Sequence, residues 1–85
     1  MITNFTTVID NIQFEFQTMN VRKLQLFQVY VMQEGKRIRF HMQVTGNGEF
    51  VITDKYHCPE IYVGLEKTLS ERILTHGVAV NHEAT

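Results

Sequence analysis

The chain has 85 residues, a formal net charge of −1, one cysteine and one proline. That length holds one domain, and the near-neutral charge removes the electrostatic ground for nonspecific attraction to nucleic acid or anionic lipid. No apolar run approaches the roughly 20 residues that span a bilayer, so no membrane partner is expected, and Cys58 has no second cysteine to pair with.

The chain opens Met1-Ile2-Thr3-Asn4-Phe5-Thr6-Thr7. It shows neither a basic start nor a long apolar stretch, so it does not read as a secretory signal. With a single cysteine, a reducing, cytoplasmic location is the expectation. Phe5, Val8, Ile9 and Ile12 have helical spacing, but Thr6, Thr7, Val8 and Ile9 are β-branched and Asp10-Asn11 suits a two-residue turn. The preferred reading is a strand at 5–9, a turn, and a strand at 12–18. A short N-terminal helix is the alternative.

Ile12, Phe14 and Phe16 alternate with Gln13, Glu15 and Gln17. A loose connection around Asn20 leads to a strand at 23–33 and another at 36–45, with Glu34-Gly35 between them. Period-two alternation through both runs means half-buried strands. A two-residue loop at Glu34-Gly35 puts Val31 opposite Ile38, Val29 opposite Phe40 and Phe27 opposite Met42. A three-residue loop at Gly46-Asn47-Gly48 puts Val44 opposite Phe50 and Met42 opposite Ile52, with Gly48 as the left-handed residue. A two-residue Asn47-Gly48 turn would set Phe50 against Thr45 and is rejected.

Pro59 suits the first position of a helix, where its missing N–H costs nothing. Ile61, Leu65, Leu69 and Ile73 form an apolar stripe flanked by Tyr62 and Leu74. Glu60, Lys67, Ser70 and Glu71 lie away from it. His76 sits in the last turn, and Gly77 is a natural residue just past it. The expected fold is α+β: an antiparallel meander of about four strands, with a possible fifth short N-terminal strand, packed on one C-terminal helix. The domain covers residues 1–77, followed by a flexible tail at 78–85.

One helix covers one face of such a sheet. The covered face holds Phe14, Val29, Phe40 and Ile52. The open face carries Leu26, Tyr30, Met32 and Val51 beside a row of Arg37, Arg39 and His41. Exposed apolar groups that adjoin one another mark contact surfaces, although scattered apolar residues on a solvated sheet are ordinary. These seven residues are the candidate interaction face, for a homodimer or a protein partner.

Strands followed by one helix resemble the topology of the single-stranded-DNA-binding coactivators. The resemblance is one of element order, without a shared motif, so no site carries over. It keeps single-stranded nucleic-acid binding as the alternative, with Tyr30 for stacking and Arg37, Arg39, Lys23 and Lys36 for phosphates. The net charge and the presence of Glu15 and Glu49 on the same face argue against it.

No chemical constellation stands out. His57 and Cys58 are adjacent, but neighbours in an extended chain point in opposite directions. Cys58 reads as a small apolar plug. His41, His57, His76 and His82 have no paired ligand spacing with one another or with Cys58. No catalytic residue, metal site or cofactor is assigned. The expectation is a noncatalytic binding or assembly module that works through its open sheet face.

Overall fold

Two turns of the same kind organise the first four strands of the computed structural model, which describes residues 1–78. Asp10 and Asn11 have φ of 53° and 65°, and Glu34 and Gly35 have 50° and 78°. Consecutive left-handed residues make a type I′ turn, whose twist matches that of the strands it joins. One turn links β1 (Phe5–Ile9) to β2 (Ile12–Thr18), and the other links β3 (Leu26–Gln33) to β4 (Lys36–Val44). The strand reading of 5–9 therefore holds, and the helical alternative does not.

The register follows from these turns. Val31 faces Ile38, Val29 faces Phe40 and Phe27 faces Met42. The three-residue loop sets Val44 against Phe50 and Met42 against Ile52 of β5 (Phe50–Ile52), with Gly48 at φ 85°. The five strands form an antiparallel meander in the order β1-β2-β3-β4-β5, curled into a half-barrel. β3 begins at Leu26 rather than Lys23, because the Asn20 side chain accepts the Arg22 N–H and holds a local turn there.

Phenylalanines dominate the inner face. Phe14, Phe16, Phe27, Val29, Phe40 and Met42 are completely buried. Phe5 stacks on Phe16 at 4.5 Å, while Phe27 meets Phe16 and Phe50 edge-on at 6.3 and 5.8 Å. Such edge contacts suit the ring quadrupole and pin the rings beyond what area burial alone would do.

The C-terminal segment departs from a single helix. It forms α1 (Glu60–Val63), a break at Gly64-Leu65, and α2 (Glu66–His76). At the break the Leu65 N–H donates to the Tyr62 carbonyl, three residues back, and the regular ladder resumes with Leu69 donating to Leu65. The interruption resets the helical phase. Tyr62 turns inward against Phe14, edge-on at 5.4 Å, and Ile61 is left 59% exposed. Of the expected stripe, Leu69 and Ile73 are buried, Leu65 is half-buried and Ile61 lies outside; Leu74 is also exposed.

Ser70, expected to lie away from the stripe, is buried and does specific work. Its Oγ accepts the Phe50 N–H at 2.8 Å, and the Glu66 carboxylate accepts the Ile52 N–H at 2.8 Å. Two N–H groups of the edge strand β5 are thus satisfied by side chains of α2. From the same helix, Arg72 donates to the Thr7 hydroxyl of β1 at 2.7 Å. The helix therefore joins the two ends of the curled sheet.

Gly77 ends α2 with right-handed φ of −77°, not the left-handed value typical of a glycine there. Its reason is space, because a Cβ would lie 2.7 Å from the Ile73 carbonyl and 3.1 Å from the Phe27 ring. Val78 bridges to Ile2. The rest of the expected tail, residues 79–85, lies outside the described residues.

Candidate functional site: a walled groove on the open sheet face

Strand alternation decides which side chains leave the helix-covered face. Val29 and Phe40 are fully buried, so their strand neighbours Tyr30 and Arg39 point to the other side. Across the strands the outer face reads Glu15-Tyr30-Arg39, then Gln17-Gln28-His41, with Arg37 opposite Met32. Leu26 and Val51 flank Gln43 at the far end. The candidate residues thus fall into two groups. Tyr30, Met32, Arg37, Arg39 and His41 lie together, with His41 on the Gln28-His41 rung that separates Leu26 and Val51 from the other four. The apolar residues form no single island, because the register interposes polar pairs.

Tyr30 is tied down on both sides. The Arg37 guanidinium lies 4.0 Å from its ring centroid, and its hydroxyl donates to Gln28 at 2.7 Å. A cation over an aromatic face is attracted by the ring quadrupole. Arg37 also reaches Glu15 at 3.5 Å, and Glu15 accepts from Gln17 at 2.8 Å. Arg39, exposed beside them, has no carboxylate within ion-pair distance among the described residues.

The feature that sequence reasoning missed is a wall. After β5 the chain folds back over the open face through Asp54 and a 3-10 turn at Lys55–His57. Asp54 is the fastener. Its carboxylate accepts the His41 backbone N–H at 2.8 Å and pairs with His41 Nδ1 at 3.0 Å. Burial pushes its pKa up, but the two His41 hydrogen bonds and the charge of the His41 ring outweigh burial, and the net direction is down. Tyr56 stands at the top of the wall, 85% exposed, with its ring against His57 at 4.2 Å between centroids.

Sheet and wall enclose an open groove of about 530 Å³. The sheet supplies Tyr30, Arg37, Arg39 and His41, and the wall supplies Asp54, Tyr56 and His57. Beside it a second depression of about 400 Å³ runs past Met32 and Arg37 toward the first turn at Asn11. The sequence signal for the wall was slight: an aspartate at a strand end, thirteen residues from the histidine it holds.

Cys58 sits just past the wall but is buried, with burial first and the charges of Asp54 and Glu66 next pushing its thiol up to about 11. It stays protonated near neutrality, which opposes thiolate chemistry. Among the described residues, no three His, Cys, Asp or Glu side chains gather as a ligand set. His82 lies outside the described residues. No helix of the structure is long and apolar enough to cross a membrane. Compared with known protein families, with curated proteins and with solved structures, the chain has no match.

Proposed function

We propose that the chain is a noncatalytic binding module that holds an acidic segment of a protein partner in the groove on its open sheet face. The observation that carries this reading is the wall over the arginine row. It gives the outer face of the sheet a concave site in which Arg39 has no acidic partner among the described residues. A carboxylate entering there gains a forked guanidinium donor, and Tyr56 offers amphipathic contact area beside it.

Single-stranded nucleic acid fits the same groove less well. That reading needs Tyr30 as a stacking platform, yet Arg37 already occupies the ring. A phosphate chain is charged at every nucleotide and meets Glu15 and Asp54 along its length. That opposes the counterion-release gain that supports such binding, whereas the proposed segment needs a single carboxylate at Arg39.

The test is an amide-shift titration with a glutamate–tyrosine copolymer and, separately, with an oligothymidylate. The copolymer is expected to move Tyr30, Arg39, His41, Tyr56 and His57, and Arg39→Glu is expected to abolish those shifts while leaving the rest of the spectrum in place. No shift with the copolymer at millimolar concentration overturns the proposal. Shifts with the oligonucleotide alone, fading steeply as salt rises, replace it with the nucleic-acid reading.

A further inference from the structure

The two edges of the sheet are treated differently. On β5 the outward N–H groups of Phe50 and Ile52 are satisfied by Ser70 and Glu66 of α2. On β1 nothing comparable is seen among the described residues. Ile9 and Ile12 close a two-residue turn and so form a hydrogen-bonded pair, which makes Thr7–Phe14 and Phe5–Phe16 hydrogen-bonded pairs as well. The N–H and C=O groups of Thr6 and Val8 must then point away from the sheet. They take part in no backbone or side-chain hydrogen bond among the described residues, and both residues are exposed, Val8 by 56%.

Proteins guard such edges with charges, proline or bulges. Asn4-Phe5-Thr6-Thr7-Val8-Ile9 contains none of the first two, and its pairing with β2 runs without a bulge. The strand is also self-complementary. It spans five residues centred on Thr7. Laid antiparallel against a second copy about that centre, Thr6 faces the copy's Val8 and Val8 faces the copy's Thr6. Each of these two pairs exchanges both its N–H···O bonds. With no charge between Asn4 and Ile9, the symmetric approach meets no like-charge repulsion along the strand.

We propose that the free edge of β1 is the dimerisation surface of this chain, joining two sheets into one continuous ten-stranded sheet through Thr6 and Val8. The interface is isologous and adds a strand to an open edge. Two five-residue strands bury less than a standard interface does, so the dimer is weak and depends on concentration. It leaves the groove open and does not depend on the groove's function.

Sedimentation from micromolar to millimolar concentration, with hydrogen exchange at both ends, tests the proposal. The apparent mass is expected to rise from 9.9 kDa toward twice that value, and the Thr6 and Val8 amides to become protected in parallel. Thr6→Lys is expected to keep the chain monomeric with an unchanged amide spectrum. Val8→Pro, which removes an N–H that β2 does not use, is expected to do the same. Tyr30→Glu is expected to leave the dimer intact. A chain that stays monomeric at millimolar concentration with both amides freely exchanging overturns the proposal. So does a dimer that survives Thr6→Lys and is dissolved by Tyr30→Glu. Protection of both amides in the monomer, lost when the chain is cut after Val78, assigns the edge to the chain's own C-terminal residues and equally overturns it.

Discussion

His41 is held by one carboxylate in two ways, and that arrangement sets how the groove responds to acid. Asp54 accepts from the His41 main chain and pairs with its ring, so the strand and the side chain are fixed together. The carboxyl has a lower pKa in the folded chain than its ordinary 3.8. A group lowered on folding contributes stability above its unfolded pKa and loses that contribution as pH falls through the folded value. Asp54→Asn is therefore expected to be less stable than the parent at neutral pH. The gap should close as pH drops below 3.8, as read by urea unfolding at stepped pH. Equal stability of the two proteins at every pH would show that the pair does not fasten the wall. The partners of this pair are thirteen residues apart, in different elements, and no local pattern links them. His41 was legible as an outer-face residue from strand alternation, but what it holds was not.

At the scale of elements, turn chemistry made the sheet readable. Asp10-Asn11 and Glu34-Gly35 each supply two residues able to take positive φ, and Gly48 supplies a third site. Once these turns are placed, period two assigns every strand residue to a face. The C-terminal helix was harder. Periodicity alone carries the stripe through residue 61, but the helix breaks at Gly64-Leu65 and Tyr62 enters the core in place of Ile61. Ser70 looked like a surface residue because the helix's neighbour, the β5 edge, cannot be seen from helical spacing. Ser70→Ala leaves the Phe50 N–H buried without an acceptor. A loss of about 1–3 kcal/mol is expected from an orphaned buried donor, measurable as a lower urea midpoint at unchanged slope. A shift within error would mean that water or another group takes over the serine's part.

For the molecule as a whole, α2 works as the closing stave of the half-barrel. It binds β5 through Ser70 and Glu66, and β1 through Arg72 and Thr7. The Thr7 hydroxyl points inward and is nearly buried, so losing its partner costs more than losing a surface contact would. Arg72→Met is expected to speed hydrogen exchange of the Thr7 and Ile9 amides by roughly tenfold, equivalent to about 1.4 kcal/mol. The β3–β4 amides are expected to keep their parental rates. Uniform acceleration through the sheet would show instead that the closure is global rather than local to β1.

What the residues alone determined is the α+β meander, its register and the division of side chains between two faces. Those features depend on local turn geometry and on period two, both of which act over a few neighbouring positions. Tertiary structure alone decided the groove, the break after α1 and the unequal treatment of the two sheet edges. Each of these arises where segments distant in sequence meet: Asp54 with His41, Tyr62 with Phe14, Ser70 with Phe50, Arg72 with Thr7. A short pattern can say which way a side chain points, but the group it meets is set by how the whole chain closes on itself.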